Sequence, residues 1–171
     1  MPISALPLAC LLLPVPLAFA CYSEIRFRRI PNWLTLAMMA FGVGAGLLDG
    51  DWAGGLDALI GLAVGGGVFL PFCLMGALGG GDLKLMAGVG AMVGWPLVLP
   101  ALAHTCLAGG VLALAVMVWS GRVWSTLANA GRIAFGGRAR RGKGLRRAPT
   151  VPYGLAIAAG SLFAVFWRFF A

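Results

Sequence analysis

Apolar stretches long enough to cross a bilayer recur along nearly the whole of this sequence, and they leave room for few architectures. They fall at about residues 3–22, from Pro31 to about Leu48, and at 57–78, 84–95, 97–119 and 150–170. A hydrocarbon core of roughly 30 Å takes ~20 residues of helix. Of the 171 residues, 61% are hydrophobic and only 11% charged, too little polar surface to keep a soluble domain dispersed. Strand-type alternation is absent, and 27 glycines suit close-packed membrane helices better than a barrel. The expected class is an all-α integral membrane protein, a single multi-pass domain of about six transmembrane helices over residues 1–171. The fourth run is too short for a full span. It either reaches back into the glycines before it or crosses a thinned or protein-lined region. Ala18-Phe19-Ala20 has the look of a signal peptidase site, but no Lys or Arg precedes Arg26, so an uncleaved first helix is expected.

A net charge of +8 would suggest nucleic acid in a soluble protein; here it sorts as a topology signal. If the Arg26–Arg29 loop is cytoplasmic, alternation puts Lys84 and the Arg122–Arg147 segment on the same side. That side then holds 12 of the 13 basic residues, with Arg168 the exception. The acidic turn carrying Asp49, Asp51 and Asp57 falls outside, as do both termini. No nucleic-acid partner is implied. The basic loop at about 121–149 reads as a solvated connection that attracts anionic membrane lipid. A docking surface for a cytoplasmic partner is the alternative, and residues 122–135 within it have the pattern of an interfacial helix. Cys10, Cys21, Cys73 and Cys106 are scattered through apolar segments without a CxxC pair, which indicates packing and neither a metal site nor a disulfide framework.

Of the five acids, only Glu24 and Asp82 fall at cytoplasmic helix ends in this topology. An ionisable group at membrane depth is costly, so each is a candidate functional residue. Each has a plainer explanation, pairing with a nearby base: Arg28 for Glu24 and Lys84 for Asp82. Glu24 begins Glu24-Ile25-Arg26-Phe27-Arg28-Arg29-Ile30-Pro31-Asn32, in which Pro31 opens the next helix. Asp82 closes Gly79-Gly80-Gly81-Asp82, a GxGD sequence placed here at the end of the third helix and followed by Lys84. The glycines allow the backbone to approach a substrate closely.

This pair of loops resembles those of the type IV prepilin peptidases, and most of all their short Tad-type form. In that family the first loop reads Asp, five residues, then Ile-Pro-Asn; the second reads GxGD followed by Lys. Pro152-Tyr153-Gly154, near the start of the last helix, matches a further recurring element. The resemblance implies a GxGD membrane aspartic peptidase of the bacterial inner membrane. It would cleave the leader of a pilin or pseudopilin precursor, with no cofactor and no metal. Glu24 and Asp82 would be the catalytic pair, and Gly79, Gly81, Lys84, Pro31 and Asn32 would support the loops or bind substrate. Here Glu24 stands where the family has its first catalytic Asp, and a shift of an ångström in the reacting oxygens can cost ~100-fold in rate. A close pair of carboxylates shares a proton: one takes a proton from water while the other hydrogen-bonds the scissile carbonyl. The cysteine-rich insertion of the long family form is missing between helix one and Glu24, so methyl transfer is not expected.

Other readings follow from single features. Glu24 favours a homologue that binds pilin precursors without cutting them. A small transporter would hold its charges near the bilayer midplane, whereas these acids lie near one face. His104 reads as a packed helix residue. Trp95, Trp119, Trp124 and Trp167 sit near helix ends as interfacial anchors do. Gly42, Gly46, Gly61 and Gly65 suit close helix packing, against either the chain itself or a substrate helix.

Overall fold

The computed structural model describes residues 8–76, 78–119 and 153–170, all built around α-helices. The basic loop at 121–149, Trp124, Pro152 and the helix expected at 122–135 lie outside the described residues. Six helices follow in order: α1 (Leu8–Leu12), α2 (Pro14–Phe27), α3 (Asn32–Leu74), α4 (Gly80–Val93), α5 (Val98–Trp119) and α6 (Tyr153–Phe170). The chain forms two compact units; the first runs to Ala108 and includes α6, and the second begins at Gly109. Three helical stretches are long and apolar enough to cross a membrane: Leu8–Phe27, Asn32–Leu74 and Val98–Val116.

Proline shapes the entry to α2. Pro14 and Pro16 lie in its first turn, where an absent N–H leaves nothing unpaired. The helix then continues past the expected end at residue 22 to Phe27. Arg28 closes it in the left-handed conformation (φ 53°, ψ 34°), its N–H bonded to the Glu24 carbonyl.

The second and third apolar runs join into α3, a helix of 43 residues interrupted at Gly50 and Asp51. Asp51 has φ 54° and ψ −147°, far from helical values. The interruption reverses the chain. A Cβ placed on Gly54 would strike the carbonyl of Gly46, and one on Gly55 would strike Leu47. Residues eight apart on a straight helix are separated by ~12 Å, so α3 is a helical hairpin with arms over 32–49 and 52–74. A turn of two residues suffices because the facing positions are glycines.

Between these arms lies α4. At 14 residues it is only ~21 Å long, short of a full span. Its residues Leu85–Val93 are all buried, as befits a helix that is apolar on every side. Gly42 of the first arm lies against Ala91, Gly61 of the second against Gly90, and Gly65 against Met86. The glycines therefore serve the chain's own packing, bringing backbones together where any side chain would hold them apart. As the sequence allowed, the short fourth segment is lined by protein and reaches back into the glycines.

The Gly79-Gly80-Gly81-Asp82 sequence does not end the third helix; it begins the fourth. α3 stops at Leu74, just beyond Pro71, with Gly76 in the left-handed region at φ 73°. Gly79 is the extended N-cap of α4, and Asp82 lies in the first helical turn. An aspartate there meets the positive end of the helix dipole and its unpaired amides, which favours initiation over termination.

The elements sort to two ends. At one, the Leu8 N–H donates to Asp49 Oδ2 (3.2 Å) and the Trp95 N–H to the Asp57 carbonyl (3.1 Å). At the other end lie the close of α2 and the starts of α3, α4 and α6. The described basic residues Arg26, Arg28, Arg29 and Lys84 are at this second end, and Arg168 is in the last turn of α6, away from it. His104 is a packed helix residue, with Nδ1 2.7 Å from the Pro100 carbonyl and its ring 4.8 Å from that of Phe163.

Candidate active site

Glu24 stands on the last turn of α2, not in the loop after it, and is half-buried. Ser23 fixes the chain immediately beyond: its buried hydroxyl donates to the Arg29 carbonyl at 2.8 Å. The Glu24 carboxylate does not pair with Arg28. Its Oε2 accepts the Gly154 N–H at 2.8 Å, and the Tyr153 N–H also bonds to it. These are first-turn amides of α6, which have no partners within their own helix. The longer glutamate side chain thus reaches across to a helix distant in sequence. A Cβ on Gly154 would collide with Oε2, so the position admits glycine alone without displacing the carboxylate.

Asp82 is half-buried in the first turn of α4. Its Oδ2 accepts the Gly79 N–H at 3.2 Å while its own N–H donates to the Gly79 carbonyl at 3.1 Å. This is the returning half of a capping box, the other half being impossible for a residue without a side chain. Glu24 and Asp82 lie within electrostatic reach of one another. Among the described residues neither is in an ion pair.

The supporting residues converge on the same end. Pro31 is the N-cap of α3 and its carbonyl accepts the N–H groups of Leu34 and Thr35. Asn32, next in the chain, accepts the Lys84 ammonium through Oδ1 at 3.0 Å. Lys84 therefore clasps the second loop to the first, instead of neutralising Asp82. Gly81 faces Ile30, where an added Cβ would come within 3.4 Å of the isoleucine Cβ. Gly79, Gly81, Lys84, Pro31, Asn32 and both acids thus gather at one end of the unit, although the two loops are far apart in the chain. Tyr153 and Gly154 were recognised in the sequence as part of a recurring element but not as site residues. Nothing in sequence spacing ties them to Glu24, because the link is a backbone amide. Among the described residues no group of three or more His, Cys, Asp or Glu side chains could hold a metal ion.

Residues 11–114, more than half of the chain, match the type IV leader peptidase family. The chain belongs to that family. It is also similar to a prepilin leader peptidase/N-methyltransferase of Xanthomonas campestris pv. campestris, with 28% identity over 151 residues. That alignment covers 84% of this chain and 44% of the relative, so the chain spans less than half the length of that protein. No solved structure matches it. The family match reaches from α1 through most of α5 and includes both acids and both loops. α6, which holds the Glu24 carboxylate, lies outside the matched segment.

Proposed function

We propose that this member of the type IV leader peptidase family is a membrane aspartic endopeptidase. It removes the leader from a type IV pilin-like precursor at the cytoplasmic face of the bacterial inner membrane. The observation that carries this reading is the placement of Glu24 and Asp82, two half-buried carboxylates from separate helices, at the same end of the unit. Charge supports the orientation: with the site end cytoplasmic, the arginines after α2 and Lys84 lie inside and the three remaining aspartates lie outside. Counting the arms of α3 separately and α4 as a short protein-lined crossing, the chain makes six passes with both termini outside. The Tad-type assignment rests on the absence of a long insertion between α2 and α3.

Hydrolysis by such a pair needs one proton between two carboxyl groups. The ionised member removes a proton from a water as its oxygen bonds to the scissile carbonyl carbon. The protonated member hydrogen-bonds the carbonyl oxygen. The C–N bond then breaks and the leaving amine takes up a proton. Glu24 is held by the amides of α6 and Asp82 by that of Gly79, so each carboxylate keeps one oxygen anchored by backbone. The proton is a property of the pair and belongs to neither residue alone.

A second reading, a homologue that binds precursors without cutting them, is favoured by the glutamate at position 24. Cleavage of a prepilin-type substrate in lipid, by this chain and its Asp82→Asn and Glu24→Asp variants, separates the two. Cutting by the parent that is lost in Asp82→Asn supports the peptidase. Cutting by Glu24→Asp alone means that the glutamate disables this site. Failure of all three moves the binding reading ahead.

A further inference from the structure

Between the exposed Arg28 and Arg29 and the N-cap Pro31, the side chain of Ile30 is half-buried and packs against the core. Its backbone is fixed on both sides. The Ser23 hydroxyl holds the Arg29 carbonyl just before it, and the Pro31 carbonyl just after it accepts the first amides of α3. The end of its side chain comes up against two glycines from helices far apart in the sequence. A Cβ on Gly81, in the first turn of α4, would lie 3.6 Å from Ile30 Cδ1. A Cβ on Gly154, in the first turn of α6, would lie 3.7 Å from the same atom. Ile30 thus fills the space that both glycines leave open.

Each of these glycines belongs to the setting of one acid. Gly81 directly precedes Asp82, whose carboxylate is bonded to the Gly79 amide at the start of α4. The Gly154 amide, at the start of α6, is bonded to Glu24 Oε2. Those bonds tie each carboxylate to one helix start, and the spacing of the two starts is left to packing. Lys84 ties α4 to Asn32 of α3 and not to α6. Isoleucine suits a spacer, because its β-branch restricts χ1 and holds the rest of the side chain in one direction. Spacing matters to the chemistry, since an error of an ångström in the reacting groups can cost ~100-fold in rate.

We propose that Ile30 is a positioning residue for the hydrolysis, a spacer that sets how far the start of α6 stands from the start of α4. Through Gly154 it places the Glu24 carboxylate, and through Gly81 it places Asp82. The inference rests on the peptidase reading above. Ile30 itself touches none of the reacting atoms. Shortening its side chain lets the two helix starts shift against each other and leaves the contacts with the precursor in place. The loss therefore falls on kcat and not on KM.

Three substitutions at this position make the test. Ile30→Val removes Cδ1 alone, Ile30→Ala removes all that lies beyond Cβ, and Ile30→Leu keeps the volume with the branch moved by one carbon. Leu162→Ala is the control for packing in general, since Leu162 of α6 is half-buried against the same core. Cleavage of a prepilin-type peptide and thermal unfolding are measured in lipid for the parent and each variant. The expected kcat is lower by about 10-fold in Ile30→Val and about 100-fold in Ile30→Ala, with KM within about twofold of the parent. Ile30→Leu should recover kcat to within about threefold. Leu162→Ala should unfold at a lower temperature than the parent and keep kcat within about twofold. Unchanged kcat in Ile30→Val overturns the proposal, and that variant decides the matter if Ile30→Ala does not fold. A kcat as low in Leu162→Ala as in Ile30→Val overturns it too, by marking a general loss of packing. So does a rise in KM at constant kcat, which marks a contact with substrate. A parent that does not cleave the peptide overturns the peptidase reading, and this inference with it.

Discussion

At one end of the first unit Asp49, Asp51 and Asp57 stand exposed, and the contacts made there serve the fold. Asp49 receives the first amide of α1, Asp57 offers its backbone carbonyl to Trp95, and Asp51 sits in the reversal of α3. At the other end Glu24 and Asp82 are half-buried, each bonded to a backbone amide. Both ends carry carboxylates, so an acid at a helix end is not by itself a functional signal. The difference is partial burial together with a second acid nearby. Water screens the charges of the first group, while the second group is partly withdrawn from it.

That contrast breaks most sharply under neutralisation. Asp82→Asn and Glu24→Gln are each expected to lower prepilin cleavage by about 1,000-fold, while Asp49→Asn and Asp57→Asn leave the rate within about twofold of the parent. A large loss from the exposed pair would erase the distinction between the ends.

Glycines at the two ends offer the next test. Gly154→Ala places a methyl group against the Glu24 carboxylate and should cost about 100-fold in cleavage. Gly44→Ala, with open space at the added Cβ, should leave cleavage unchanged. Equal effects would mean that general packing, and not the position of Glu24, controls the rate.

Lys84→Met keeps the length of the side chain and removes its bond to Asn32. A fall of about fivefold in cleavage, the worth of one hydrogen bond, is expected if the clasp only positions the loops. Loss of all activity would instead place the ammonium in the chemistry.

The smallest effect belongs to the opposite end: Asp51→Gly relieves a positive φ and should stabilise by about 1 kcal/mol with no change in cleavage.

Much of this was legible in the chain, for reasons that are local. Glu24, the Ile-Pro-Asn that follows and the GxGD around Asp82 are short contiguous signals, and the family match bears out the recognition they gave. Pro31 marked the start of α3 to within a residue because proline is fixed in φ and lacks a donor. The glycine run was harder. Glycine favours the end of one helix and tolerates the beginning of the next, so its side of the boundary depended on Asp82 returning to the Gly79 amide.

The sequence by itself determined the material of the protein: membrane-length apolar helices, basic residues gathered toward one end, and two acids beside distinctive loops. These follow from residue type and spacing, since hydropathy and helix-ending chemistry act over a few neighbours. Only the tertiary structure decided that α3 doubles back around α4, that Lys84 bonds Asn32 and not Asp82, and that Glu24 rests on the amides of Tyr153 and Gly154. The physical reason is that a backbone amide is the same in every residue. Which carboxylate it meets is settled by the packing of distant helices, and no side chain along the chain announces it.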